Sequence, residues 1–202
     1  GFVGNDQTVL SPELRISLSG LVSNSTVLTS QTDVDGVSFQ FDNMYEHGTP
    51  LIVKNIKIQG YVDSDTNGLF SEGTDGSVQL QDIIQNVKLM YGSTQIGTTQ
   101  NVASDGTISF NNLDWTIPTN TGVIMKLVFD VSSSAPEGGN SNRVAFDIKN
   151  ASTDVLAEDE DSNSVRATGD ATNGGTNPTV FVTINNAETQ TSLSVTKNDI
   201  TP

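Results

Sequence analysis

The chain has 202 residues, enough for one large all-β domain with a sizeable core. Nine Lys and Arg residues against 24 Asp and Glu residues give a formal net charge of −15, which would repel nucleic acid and anionic membrane surfaces. The absence of cysteine excludes disulfide bonds, thiolate metal sites and cysteine nucleophiles, and the lack of a long apolar run predicts no membrane insertion.

The first predicted element is a strand near the N-terminus. Residues 13–19 alternate between apolar and polar side chains, and residues 190–196 repeat that pattern at the other end of the chain. A strand that begins one copy can complete the sheet of another. We therefore expect residues 1–20 to be an arm with a candidate donor strand over 2–18, and residues 190–202 to lead to a neighbouring domain or subunit. The alternative is that both strands belong to the domain's own sheets.

Residues 21–189 are predicted to form one β-sandwich domain. Short runs rich in β-branched residues are separated by clusters of Gly, Asn, Asp and Ser, and Asp105-Gly106 is a hairpin signal between two apolar residues. Residues 77–87 carry only a weak helical pattern. Antiparallel strands need a second layer over their apolar face, so the predicted fold is all-β: an antiparallel, two-sheet, immunoglobulin-like or jelly-roll-like sandwich.

A calcium-loop motif follows the apolar run that ends at residue 62. Asp63, Asp65, Asn67 and Gly68 have the D-x-[DN]-x-[DN]-G spacing, in which oxygens at alternate positions converge on one hard cation. The glycine permits a sharp turn that brings the carbonyl of Leu69 inward. Because the preceding residues alternate as a strand does, the motif is not part of a helix-loop-helix hand.

The end of this loop departs from the motif. Thr74 occupies the position at which a bidentate glutamate is expected, while Glu72 precedes it and Asp75 follows it. Either acid could complete the shell. The alternative is a metal-free acidic turn, since Asp, Asn and Gly favour turns by themselves. We predict calcium as the cofactor, with ligands drawn from Asp63, Asp65, Asn67, Leu69, Glu72 and Asp75.

The sequence argues against an enzyme and leaves a sugar-binding role open. The single histidine, His47, lies in a predicted turn, and no nucleophile-elbow pattern accompanies it. Trp115 lies in an alternating strand, which favours a core position over a sugar-stacking platform. Exposed and coplanar rings of Trp115, Tyr61 or Tyr91 would favour the platform instead. Asn24 and Asn150 fit the glycosylation acceptor pattern.

Three segments resemble a repeat of large bacterial cell-surface proteins that contain immunoglobulin-like sandwiches. They are residues 84–97, 105–118 and 126–131, and the resemblance extends over roughly residues 37–200. It implies adhesion, coat formation or filament building. The acidic loop is similar to calcium loops that stiffen such modules. In those loops the first, third and fifth positions are ligands, which here are Asp63, Asp65 and Asn67.

These observations together predict an extracellular, cell-surface structural subunit. We expect it to assemble head to tail with copies of itself into a surface filament or layer, by strand addition and with calcium as a stiffener. The alternative is an adhesin or carbohydrate-binding repeat of a larger cell-surface protein, with a glycan or surface receptor as partner.

Overall fold

The computed structural model describes residues 12–44, 48–136 and 141–185, and the regular secondary structure in this part of the chain is almost entirely β-strand. No helix in these ranges is long and apolar enough to cross a membrane. The elements are β1 (Glu13–Leu18), β2 (Ser25–Leu28), β3 (Val34–Asn43), β4 (Leu51–Asp63), β5 (Ser71–Glu72), β6 (Thr74–Asp75), β7 (Val78–Gln79), α1 (Leu80–Ile83), β8 (Ile84–Tyr91), β9 (Thr94–Gln100), β10 (Thr107–Phe110), β11 (Trp115–Ile117), β12 (Thr121–Val131), β13 (Asn142–Asp147), α2 (Ala151–Asp154), β14 (Val155–Glu158), β15 (Ser164–Thr168) and β16 (Val182–Asn185).

The strands form one long hydrogen-bonded series. Its order is β2-β16-β13-β4-β14-β15-β1-β3-β12-β8-β9, while β5, β10 and β11 also pair with β4, and β6 with β7 makes a small separate hairpin. The β1–β15 and β2–β16 pairs are parallel and the others are antiparallel. The all-β prediction is confirmed. The sheet is mixed and continuous through β14 and β15, which differs from the predicted pair of separate antiparallel sheets.

The two halves of this series face each other across the core. Phe129 of β12 meets Phe146 of β13 with ring centroids 5.4 Å apart, and Phe41 of β3 meets Trp115 of β11 edge-on at 5.1 Å. Trp115 is only 8% exposed, as the sequence predicted. Burial of each such apolar side chain contributes roughly 1.5–3 kcal/mol to folding, so these contacts stabilise the packing of the two halves against each other.

Strand β1 belongs to the chain's own sheet, which corrects the donor-strand prediction for this part of residues 2–18. It pairs with β15 on one side and with β3 on the other. Leu14 and Ile16 have no exposed surface because they fill the chain's own core. The alternative interpretation therefore holds for β1. Residues 1–11 and 186–202, which include the remainder of the predicted donor segment and the C-terminal strand, lie outside the described residues.

Candidate metal site

The loop that follows β4 is shaped by side chain to backbone hydrogen bonds. Asp65 Oδ1 accepts the backbone N–H of Asn67 at 3.1 Å, and Asn67 Oδ1 accepts that of Leu69 at 2.7 Å. Thr66 and Gly68 have φ values of 60° and 87°, in the left-handed region that turns the chain tightly. These successive turns keep the start of the loop compact beside the end of β4.

The hairpin of β6 and β7 brings a further acid to this loop. Asp75 Oδ2 accepts hydrogen bonds from the backbone N–H of Ser64 at 2.8 Å and from its hydroxyl at 2.9 Å. The preceding Gly73 has a φ of 66° and donates its N–H to Gly60 O at 3.1 Å. A Cβ at Gly73 would lie 2.5 Å from the carbonyl carbon of Asp105, so only glycine allows this approach. The backbone contact thus fixes where Asp75 lies.

Three carboxylates converge as a result. Asp63, Asp65 and Asp75 each offer an oxygen, and the three oxygens lie within 4.8 Å of one another. Calcium binds oxygens at 2.3–2.6 Å, so ligands on opposite sides of one ion are at most about 4.6–5.2 Å apart. The spacing therefore fits three oxygens around a single hard cation.

The most buried of these acids has an unsatisfied oxygen. Asp63 has no exposed surface, and its Oδ1 has no hydrogen-bond partner among the described residues. Its Oδ2 accepts the backbone N–H of Gly68 at 3.2 Å and lies 3.5 Å from Nη1 of Arg143. Burial raises the pKa of Asp63, and the bond from Gly68 and the charge of Arg143 offset this only in part. A cation at Oδ1 would supply the missing partner.

The structure separates the two acids between which the sequence could not decide. Asp75 joins the cluster, whereas the Glu72 carboxylate lies 2.7 Å from Nζ of Lys149 in an ion pair. Asn67 remains beside the cluster, because its side-chain amide donates to Asp65 Oδ2 at 2.8 Å. The side chain of Leu69 is 67% exposed, so this residue could take part only through its backbone carbonyl.

Sequence reasoning did not identify Arg143. It lies directly opposite Asp63 in the β4–β13 ladder, and its guanidinium carbon is 5.5 Å from the centroid of the Phe181 ring. Its Nε is buried without a partner among the described residues. Three carboxylates and one guanidinium sum to −3 + 1 = −2, a charge that a divalent cation neutralises. No local sequence signal marks Arg143, because only the long-range strand register brings it there.

The three aromatic residues considered for the alternative, a sugar-stacking platform, do not form one. Trp115 and Tyr61 are 8% and 2% exposed, and only Tyr91, at 47%, offers a ring to solvent. The Tyr91 and Trp115 rings are inclined by 53° with centroids 6.0 Å apart, so they are not coplanar. His47 lies outside the described residues. Asn24 and Asn150, the two acceptor-pattern residues, are both exposed.

Comparisons with known proteins find only distant similarity, and only to solved structures. No protein-family profile and no curated protein matches the chain. A chain of a type I cohesin–dockerin complex from Clostridium thermocellum is 13% identical over 90% of this chain and 99% of that chain, with a TM-score of 0.36. The third ScaB cohesin of R. flavefaciens, solved with a group 1 dockerin, is 14% identical over 89% and 98%, with a TM-score of 0.31. A family 123 glycoside hydrolase from Clostridium perfringens is 11% identical over 85% of this chain and 27% of that chain, with a TM-score of 0.36. At these TM-scores the likenesses carry no argument about function, which therefore rests on the geometry.

Proposed function

We propose that this chain is a calcium-binding structural module of an extracellular, cell-surface protein. The observation that carries the proposal is the buried Oδ1 of Asp63, which has no hydrogen-bond partner in the described part of the chain, on a carboxylate that lies beside those of Asp65 and Asp75. Extracellular modules bind calcium with dissociation constants of about 10⁻⁴–10⁻³ M, and three converging carboxylates on a chain of net charge −15 suit that milieu. The proposal assigns the chain a structural and binding role without a catalytic step.

The role of the ion is to fix the loop of residues 64–70, the metal loop, over one face of β4 and β13, which we call the outer face. Tyr61 and Ala145 lie on that face, next to the pair formed by Asp63 and its opposite arginine. Phe70, from the metal loop, and Phe181 pack against them in a small apolar cluster. The backbone N–H of Phe70 also donates to Thr176 O at 3.0 Å. An ion that fixes the metal loop therefore fixes Phe70, and with it the contact to the loop that precedes β16.

Self-association into a filament or layer remains part of the proposal only in a restricted form. Strand β1 is paired on both sides, so it cannot serve as the donor. The ends of the strand order are β2 and β9, and each has one edge without a partner strand among the described residues. Strand addition by another copy at one of these two edges would extend the long strand series.

Calorimetry of the wild type and two variants tests the metal site. Calcium should bind to the wild type with a stoichiometry of one. It should also raise the melting temperature, because an ion bound only by the folded state stabilises that state by about 2.7 kcal/mol at a hundredfold excess over Kd. The double variant D63N/D65N should show neither effect. Asp161→Asn, which removes an exposed charge from a loop elsewhere, should behave as the wild type does. A wild-type melting temperature that chelator does not change, together with no calcium heat signal, would overturn the proposal.

A further inference from the structure

The metal loop contains an Asn-Gly pair, Asn67 and Gly68. Asn67 is exposed and Gly68 is half-buried. An asparagine followed by glycine loses its side-chain amide more readily than other asparagines, because a residue without a Cβ leaves its backbone nitrogen open to the preceding side chain. A Cβ built at Gly68 would have no atom beyond its chain neighbours within 4 Å. The surroundings of Gly68 therefore leave room for the Asn67 side chain to turn toward it.

The loss of the amide is a reaction of the chain with itself and with water. The backbone nitrogen of the glycine forms a bond to Cγ of the asparagine, the bond from Cγ to Nδ2 breaks, and Nδ2 leaves as ammonia after taking up the amide proton of the glycine. Water then opens the resulting five-membered succinimide ring. Opening at one carbonyl gives aspartate, and opening at the other gives isoaspartate, whose backbone is one carbon longer. The reaction consumes one water, releases one ammonia and needs no redox partner.

Both groups that would react at this pair are bonded to carboxylates of the metal site. The attacking group, the backbone N–H of Gly68, donates to Asp63 Oδ2 at 3.2 Å. The group under attack is the Asn67 amide, whose Nδ2 donates to Asp65 Oδ2 at 2.8 Å and whose Oδ1 accepts the N–H of Leu69 at 2.7 Å. Ring closure must release the Gly68 N–H and turn the Asn67 side chain. Each of these motions breaks a hydrogen bond to an acid of the carboxylate cluster.

A bound ion would therefore control how often these bonds open. Without an ion, Asp63, Asp65 and Asp75 place three like charges within 4.8 Å of one another, and their repulsion favours local opening of the loop. A cation that binds only the closed loop lowers the open fraction by the factor 1 + [L]/Kd, about a hundredfold at a hundredfold excess over Kd. Loss of the Asn67 amide should slow by a similar factor if it occurs only from the open loop.

The second Asn-Gly pair of the sequence, Asn173 and Gly174, is an internal reference. Asn173 is 1% exposed. Its Oδ1 accepts the Thr179 hydroxyl at 3.1 Å and the backbone N–H of Val180 at 2.9 Å, and its Nδ2 donates to Val180 O at 2.6 Å. None of these partners belongs to the carboxylate cluster. The reactivity of Asn173 should therefore be low and independent of calcium.

We propose that Asn67 is a self-modification site that the bound ion protects, an inference that rests on the proposed calcium function. A module that keeps its ion keeps Asn67, whereas a module that loses the ion converts it to aspartate and isoaspartate. Isoaspartate lengthens the backbone between the N–H groups of residues 67 and 68, which bond to Asp65 and Asp63, so these carboxylates lose their common frame. Aspartate keeps the backbone and is accepted at this position of the calcium motif. The isoaspartate product makes the loss of calcium binding irreversible.

Ageing of the full chain, followed by peptide mass spectrometry, tests the proposal. The chain is kept warm in mildly alkaline buffer with chelator or with calcium at a hundredfold excess over Kd, and tryptic peptides 58–88 and 167–197 separate the two Asn-Gly pairs. In chelator, Asn67 should react faster than Asn173. Calcium should slow Asn67 at least about tenfold and leave Asn173 unchanged. In the D63N/D65N variant the rate at Asn67 should not respond to calcium.

The products are tested by calcium calorimetry. The aged chain with isoaspartate at position 67 should give no calcium heat signal. N67D should bind calcium at least as tightly as the wild type, because it adds a carboxylate without lengthening the backbone. Asn67→Gln should bind calcium and form no product at this position during ageing in chelator. If the isoaspartate chain binds calcium as the wild type does, the modification does not control the site.

Calorimetry of the unaged chain separates failure of this inference from failure of the metal site. If the wild type binds calcium but Asn67 reacts equally fast with and without it, or does not react in chelator, the inference is wrong and the metal site stands. If Asn173 accelerates in chelator as much as Asn67 does, the ion protects the whole fold and the local assignment is wrong. If the wild type binds no calcium, the metal site is refuted, and the protection of Asn67 with it.

Discussion

Two buried aspartates in the same molecule have opposite electrostatic surroundings. Asp130, in β12, is 8% exposed, and both its oxygens accept hydrogen bonds. The donor to Oδ1 is the backbone N–H of Asp33 and the donor to Oδ2 is Nδ2 of Asn86, each at 2.9 Å. Burial opposes its ionisation, but these bonds and the charge of Lys88 outweigh it, so the pKa of Asp130 is lowered. Asp63, in β4, has one oxygen without a hydrogen-bond partner among the residues that the structure describes, and burial raises its pKa.

The difference shows that burial alone does not define the role of an acid. Asp130 is satisfied by its own chain, and it fastens the start of β3 and the bulged region of β8 to β12. Asp63 is satisfied in part: one of its oxygens has no hydrogen-bond partner among the described residues, and its carboxylate lies beside two further carboxylates. A buried charge must be paired. The Asp130 arrangement is therefore a structural contact within the chain, whereas the Asp63 arrangement is a site that requires a cation from outside.

Substitution of Asp130, the structural acid, should have the largest effect on stability. Asp130→Ala leaves the Asp33 N–H and the Asn86 amide without their acceptor, so we expect a loss of about 3–5 kcal/mol in the free energy of unfolding. The loss should be the same in calcium and in chelator, as measured by urea unfolding. Asp35→Ala, which breaks the exposed ion pair with Lys126, should cost about 0–1 kcal/mol. Equal effects of the two substitutions would contradict the comparison.

Substitution at the unsatisfied acid should depend on calcium. The D63N substitution keeps the shape of the side chain and removes the charge, so we expect the variant in chelator to match or exceed the wild type by up to about 1 kcal/mol. In calcium at a hundredfold excess over the wild-type Kd, the variant should lack the ion's contribution of about 2.7 kcal/mol. Urea unfolding in both conditions measures the change of sign. If D63N lowers the free energy of unfolding equally with and without calcium, Asp63 is a structural residue like Asp130.

Arg143 should have a smaller effect that is again linked to the ion. Arg143→Gln removes the cation that faces Asp63, so we expect a loss of about 1–2 kcal/mol in chelator and a smaller loss in calcium, where the ion replaces the missing charge. Arg143→Lys keeps the charge and should recover part of the stability in chelator. If Arg143→Gln loses more in calcium than in chelator, the guanidinium supports the bound ion instead of substituting for it.

The sequence contained the local part of this site but not the long-range part. The alternation of Asp63, Asp65 and Asn67 is a property of consecutive residues, so the loop was predictable. The choice of Asp75 over Glu72 depends on the hairpin of β6 and β7 and on its contact with Ser64. That contact follows from the folded chain and not from spacing. The metal itself stays a prediction.

The same distinction holds for the fold. Alternating apolar residues predicted strands, and the all-β class followed from them. They could not predict that β1 pairs in parallel with β15, because the two strands are far apart in sequence and alternation carries no direction. The match between β1 and residues 190–196 suggested a donor strand, whereas the burial of Leu14 and Ile16 places β1 in its own core.

The smallest expected effect is a difference in pH dependence between the two acids. The lowered pKa of Asp130 means that its stabilisation is present above the unfolded value of about 3.9 and is lost as the pH falls through the folded value. The raised pKa of Asp63 has the opposite sign in chelator: its charge destabilises the fold progressively as the pH rises from about 3.9 through the folded value. The gap between wild type and D130N should therefore narrow in acid, while any advantage of D63N over wild type in chelator should appear only at higher pH. Urea unfolding of the three proteins between about pH 3 and 7 measures both trends, and a D63N advantage that grows toward acid would show that Asp63 is already satisfied without an ion.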